Sequence, residues 1–361
     1  MRSLLWSLAV SVLLAGCGTV STASFSSPAP STAATSPSPG SPAPSTAAAS
    51  PSPGPAASPL SVPPAGLFPR ATNLAYDSTR REILLFGGTG AGKDTWTWDG
   101  MRWTQRTSAA SPAAREGAAL TDDPDHKLVL LFGGADSSTL RNDTWLWDGS
   151  GWKEARPAHS PSGREGGAIT WDAAHHVALL FGGYARYGGF LNDTWTWDGT
   201  DWTQRAPATS PPARGYGRVA FDSAHGSVVL FGGFDGMDDT WTWDGSTWSL
   251  QHPANSPPGL REATPVPQQM AYDSVRKVIV MLDPTAHGAL SASDTMDTWT
   301  WDGTTWSRLT PAASPPARDG FGFVFDAALG ISVMAGGYAL GDAGDTVSTW
   351  GWDGANWSKV G

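Results

Sequence analysis

An arginine recurs along the chain at Arg70, Arg115, Arg164, Arg214, Arg261 and Arg318, and four of the six precede an acid, Glu116, Glu165, Glu262 or Asp319. Guanidinium groups gathered at one place would hold a carboxylate, phosphate or sulfate through paired, charge-assisted hydrogen bonds. Tyr184, Tyr187, Phe190 and Phe234 fall between these arginines in segments that differ in length from copy to copy. Their rings would stack on the face of a sugar or anchor a partner protein.

Other chemistries are weaker. Gly87-Gly88-Thr89-Gly90-Ala91-Gly92-Lys93 has phosphate-loop spacing, but Asp94 stands where a hydroxyl must meet the metal, and the residues after it alternate as a strand does. His126, His175, His176 and His225 fall in polar turns without an acid four residues on, so they are expected to be solvated rather than to bind metal. No serine–histidine–acid set or catalytic carboxylate pair stands out from the repeat, and no cofactor is expected.

The recurrence itself is the organising fact. Leu84-Leu85-Phe86-Gly87-Gly88 followed by Asp94-Thr95-Trp96-Thr97-Trp98-Asp99-Gly100 and Trp103 returns with Trp-Asp-Gly triplets at Trp98, Trp147, Trp197, Trp243, Trp301 and Trp352. The fifth copy has Leu282-Asp283 in place of the glycine pair. Eighteen of the twenty tryptophans belong to this pattern, three per copy, so they are architecture first. Within a copy, the runs Gly117 to Asp122, Leu128 to Phe132, Thr144 to Trp147 and the stretch from Trp152 read as four short strands, a to d, with Asp148-Gly149 as a tight turn. A twisted four-stranded sheet buries neither face alone, whereas six around an axis bury both. The expected fold is all-β: a six-bladed propeller of four-stranded antiparallel blades over residues 67–361. Each blade is expected to be built from contiguous sequence, from strand a near Thr72 to Asp77 through strand d near Asn356 to Val360.

The glycine pair, later aromatics and period resemble the kelch motif from Pro69 to Gly361, with Trp-x-Trp plus a third Trp as a departure. Thr242-Trp243-Asp244-Gly245-Ser246-Thr247-Trp248 is also similar to the Asp-box of sialidase-like propellers, but here Asp and Gly are adjacent. The kelch resemblance implies strand a beside the axis. The arginines before it would then circle one channel mouth, with the variable b–c loops emerging on the same face. On this reading Arg115, Arg164, Arg214 and Arg318, with Tyr184, Tyr187, Phe190 and Phe234, are the candidate ligand-binding residues, and a structural role for the arginines is the alternative. Kelch enzymes of the galactose-oxidase kind use a Tyr–Cys cross-link and copper, and the single cysteine, Cys17, lies far from the propeller segment.

The chain before the repeats reads as an address. Leu4 to Leu14 is an apolar run after Arg2, and Leu14-Ala15-Gly16-Cys17 resembles the lipobox of bacterial lipoproteins. That resemblance implies a signal peptide over 1–16, lipidation of Cys17, and a protein held at the extracytoplasmic face of the cell envelope. Residues 17–66 are rich in Pro, Ser, Ala and Thr, and no charge occurs from Gly18 to Pro69. Ser27 to Gly40 is duplicated as Ser41 to Gly54 with Thr35 against Ala49, which predicts a disordered stalk. A net charge of −10 with no basic stripe argues against nucleic acid. The expected function is a monomeric, non-catalytic module binding a protein or glycan at the d–a and b–c loop face. The rival is a sugar enzyme similar to six-bladed kelch epimerases of sialic acid, which would need asymmetric acid/base residues in the channel.

Overall fold

The computed structural model describes residues 73–87, 92–136, 138–234, 236–259, 269–284, 294–339 and 348–360. The expectations for the signal segment, Cys17, the stalk, Arg70, Arg261 and Glu262 lie outside the described residues. Blade one comprises β1 (Asn73–Asp77), β2 (Glu82–Phe86), β3 (Thr95–Trp98) and β4 (Trp103–Arg106). Blade two follows with β5 (Ala119–Asp123), β6 (Leu128–Phe132), β7 (Thr144–Trp147) and β8 (Trp152–Ala155), and blade three with β9 (Ala168–Asp172), β10 (Val177–Tyr184), β11 (Phe190–Trp197) and β12 (Trp202–Arg205). Blade four holds β13 (Arg218–Asp222), β14 (Ser227–Gly233), β15 (Met237–Trp243) and β16 (Trp248–Gln251). Blade five holds β17 (Gln269–Asp273), β18 (Val278–Pro284), β19 (Met296–Trp301) and β20 (Trp306–Leu309). Blade six holds β21 (Arg318–Asp326), β22 (Ile331–Ala339), β23 (Trp350–Trp352) and β24 (Trp357–Lys359).

Every sheet is four consecutive strands paired antiparallel in chain order, so no strand is shared between the first and last blades. Strands a touch one another around the axis, and β21 closes the ring against β1. The propeller is six-bladed and contiguous, as the repeat frame implies.

The third tryptophan of each repeat is the inter-blade peg. Trp152 lies edge-on to Phe86 of the preceding blade with ring centroids 5.3 Å apart, and Trp202, Trp248 and Trp306 repeat this against Phe132, Phe181 and Phe231. A buried indole N–H needs an acceptor, and the threonine just before the Trp-x-Trp of the preceding blade supplies it. Trp152 donates to Thr95 at 2.9 Å, Trp202 to Thr144, Trp248 to Thr194, Trp306 to Thr240, Trp357 to Thr298, and Trp103 to Thr349 across the closure. That is why threonine persists before the Trp-x-Trp. Thr194→Val should therefore destabilise by about 1–3 kcal/mol by stranding the Trp248 donor, while Thr194→Ser should keep most of the stability. Equal urea midpoints for the valine variant and the parent would show the bond to be dispensable.

On the outer rim, each a–b turn reaches over the Asp-Gly turn between strands c and d of the next blade. Arg80 covers Gly149, His126 covers Gly199, His175 covers Gly245, His225 covers Gly303, Arg276 covers Gly354 and Leu329 covers Gly100. The glycines turn at positive φ, +97° at Gly303, and any side chain there would collide with the cover. The histidines are thus not merely solvated, as the turn composition predicts. His126, His175 and His225 are half-exposed but fixed, each bonded through Nδ1 to the buried aspartate ending its strand a, Asp123, Asp172 or Asp222, at 2.8–2.9 Å.

Candidate functional site

The arginines define the face first. Arg115, Arg164, Arg214 and Arg318 are only 3, 1, 1 and 0 % exposed. They do not line a solvated mouth; this corrects the expectation from their position before strand a. Arg164 donates to both oxygens of Asp193, at 2.6 and 2.8 Å, and to the carbonyls of Gly182 and Ser162. Arg115 is held the same way by Asp143, Gly133 and Ala113, and Arg214 by Asp239, Gly232 and Pro212. The same carboxylate also takes the N–H of the Trp two residues on, Trp145, Trp195 or Trp241. Burial opposes the charge on Asp143 and Asp239, but the arginine and indole donors outweigh it and hold both carboxyls below their usual range. Arg318 keeps the carbonyl of Gly336 but meets Ser348 where the other blades have aspartate.

The glycine pair completes this lock. Gly133 and Gly182 turn at φ +67° and +61°, and a Cβ on either would sit at the carbonyl of the next blade's arginine. The second glycine donates to that same carbonyl, Gly134 to Arg164 and Gly183 to Arg214, at 2.8 and 2.9 Å. In blades three and four the pair breaks register between strands b and c, as a bulge does. Blade five, with Leu282-Asp283, runs through in unbroken register to Pro284. Its missing glycines are therefore a straightened strand rather than a lost blade.

With the arginines sunk, other groups form the mouth over blades two to four. The b–c segment of blade three is less loop than its sequence suggests. Pairing resumes after the bulge, with Gly183 opposite Leu191 and Tyr184 opposite Phe190, leaving one 3₁₀ turn, Arg186–Gly188, at the tip. That tip is tied to blade two, since Arg186 donates to the carbonyls of Ser138 and Asp136. Tyr184, Phe190 and Phe234 form one tier, with ring centroids 5.3 Å apart for the first pair and 5.5 Å for the second. Phe190 lies against Gly215, where a side chain would press on the ring. Tyr187 projects from the 3₁₀ turn fully exposed, and Phe234 is exposed at the tier's end. Three of the four candidate aromatics are thus brought together, and Tyr187 stands outward of them.

Inside the tier lie two acids and a tyrosine whose importance the sequence pattern conceals. Main-chain bonds from Gly166 to Gly117 and from Tyr216 to Gly166, at 2.9 and 2.8 Å, set the Glu116, Glu165 and Tyr216 segments of three blades side by side. Burial, and then the neighbouring Glu116, push the Glu165 carboxyl up, with Arg186 opposing. Burial pushes the Tyr216 phenol to about 12, aided by Glu165 and Glu116. Tyr216 holds φ +59° where Gly117, Gly166 and Gly320 stand in other blades, an arrangement that costs a non-glycine residue about 1–2 kcal/mol. A tyrosine in a glycine's place was the available signal.

The chain matches no model of a known protein family and no characterised protein.

Proposed function

We propose that the propeller is a non-catalytic binding module of kelch type, recognising a protein or glycan at the face formed by its d–a and b–c loops. The observation that carries this reading is the aromatic tier of Tyr184, Phe190 and Phe234, extended by exposed Tyr187 and set beside the half-buried acids Glu116 and Glu165. Rings presented beside carboxylate acceptors suit the apolar and hydroxyl faces of a sugar, or the aromatic and polar anchors of a protein. The role of the glycine pair in the arginine lock supports the kelch assignment. The lipobox-like segment ending at Cys17 supports display from a lipid anchor at the cell envelope.

A second reading, catalysis on a carboxylated sugar, draws on Glu165 and Tyr216, which are titratable, asymmetric in the repeat and shifted from their ordinary values. Arg115, Arg164, Arg214 and Arg318, buried against acceptors of their own blades, do not offer it a carboxylate clamp.

Glycan and purified-protein arrays probed with the full chain test the binding reading. Tyr187→Ala and Phe234→Ala should each weaken capture of any specific ligand about tenfold or more with unchanged melting midpoints. Capture unaffected by both variants would overturn the assignment of this face.

A further inference from the structure

Strand pairing places the side chains of the mouth in rows. Glu165 and Tyr184 exchange two main-chain hydrogen bonds, at 3.2 and 2.8 Å, and Tyr184 lies opposite Phe190. Residues directly opposite on antiparallel strands project to one face. A carboxylate and two rings therefore stand in line across blade three. The corresponding row in blade two begins with Glu116 opposite Ala135, and in blade four Phe234 donates its N–H to the Gly215 carbonyl. Gly215 stands where the two preceding blades have glutamate, and the Phe190 ring fills the space beside it, within 3.0 Å of where a Cβ would be. Tyr216 covers Gly166 in the same way, at 2.7 Å, so a further ring flanks Glu165. Acids thus occupy one side of the face and rings the other, with Glu165 at the join.

Glu165 is the group this arrangement leaves incomplete. It is half-buried, and its carboxylate receives no hydrogen bond among the described residues. The arginines beside it are engaged elsewhere, Arg164 with Asp193 and Arg186 with the carbonyls of Ser138 and Asp136. A half-buried carboxylate without a donor is costly, and a positively charged donor relieves it most. Ring faces carry negative potential and attract the same charge. An anionic group would meet Glu165 and Glu116 as like charges, whereas a neutral sugar would fill the acceptor and leave the charge. The exposed rings of Tyr187 and Phe234 project outward, which suits the surface of a macromolecule rather than an enclosed small ligand. The net charge of −10 favours encounter with a basic one.

We infer, resting on the binding role proposed for this face, that its partner is a basic protein, one of whose arginine or lysine side chains sits between the Glu165 carboxylate and the rings of Tyr184, Phe190 and Phe234.

Fluorescence anisotropy of a labelled tetra-arginine peptide titrated with the full chain tests it, at a salt concentration of about 0.15 M to screen diffuse attraction. The control peptide is tetra-citrulline, which keeps the shape of the side chains without their charge. Tetra-arginine should bind, and tetra-citrulline should bind at least tenfold more weakly. Glu165→Gln and Phe234→Ala should each weaken tetra-arginine at least tenfold with unchanged melting midpoints. Glu154→Gln removes the same charge from an exposed position on β8, outside these loops, and should leave binding unchanged. Absence of tetra-arginine binding, tetra-citrulline bound as tightly, parent-like binding by Glu165→Gln, or an equal loss in Glu154→Gln would each overturn the cationic partner. On the protein and glycan arrays, a ligand lost in Phe234→Ala but kept in Glu165→Gln would overturn it too, while leaving the face as the binding surface. A ligand kept in both variants and in Tyr187→Ala would overturn the face itself.

Discussion

Arg164→Ala should lower the unfolding free energy by about 3–5 kcal/mol, because it leaves Asp193 half-buried without its bidentate partner and the Gly182 carbonyl without its donor. Arg115→Ala and Arg214→Ala should cost similar amounts, since both make the same set of bonds. Breaking one side of a buried ion pair is worse than replacing both. The double variant Arg164→Met with Asp193→Leu should therefore recover much of the loss. Urea unfolding of these variants measures the ordering. A parent-like midpoint for Arg164→Ala would show that the guanidinium contributes no net stability, and would return the arginine to consideration as a ligand group.

The second large effect is on the opposite side of the strand-a ring. The residue before the aspartate that ends strand a is aromatic in five blades, Tyr76, Trp171, Phe221, Tyr272 and Phe325, and is Asp122 in blade two. Burial pushes the Asp122 carboxyl up to about 7; Asp77 and Asp123 add to this, and bonds from Ser78 oppose it. An unfolded aspartate titrates near its model value of 3.8. Between about pH 4 and 7 the folded protein thus holds a proton that the unfolded chain has released. Its contribution to stability falls as pH rises through that window and is flat above it. For a partly exposed carboxylate the cost at pH 8 is about 2 kcal/mol after screening. Asp122→Asn should raise the midpoint at pH 8 and remove this part of the pH dependence. Asp122→Tyr should do the same and also fill the repeat's aromatic position. Parallel pH–stability curves for the parent and Asp122→Asn between pH 4 and 8 would refute the assignment.

The fold was legible because its signals are periodic. The apolar run of strand b, the paired tryptophans and the Asp-Gly turn each recur in register, and contiguous blades follow from where the first and last copies begin and end. Depth was not legible. An arginine after a proline-rich loop reads as solvated, yet its partner was also in the sequence: the aspartate of Asp143, Asp193 and Asp239 recurs in five of the six copies. Recurrence of both signs in one repeat is the pattern of an internal pair, and only the fold shows that the two meet within a blade. Likewise, a histidine in a polar turn carries no sign that a glycine of the next blade will sit beneath it. Tyr216 and Asp122 each depart from the repeat at one position, but their coupling to Glu165 or to Asp77 depends on neighbours about fifty residues away.

Each seam between blades joins the same parts, a tryptophan to a threonine and a turn over a glycine, and the seam between blades six and one does so as well through Thr349 and Leu329. A linear array has end units with one neighbour, which fray first. Here every blade has two, and none is released until two seams part together. Since no sheet spans a d–a connection, a protease that cuts one of these loops severs the chain without removing a strand from any blade. The nicked protein would stay closed, and its fragments would separate only under denaturing conditions.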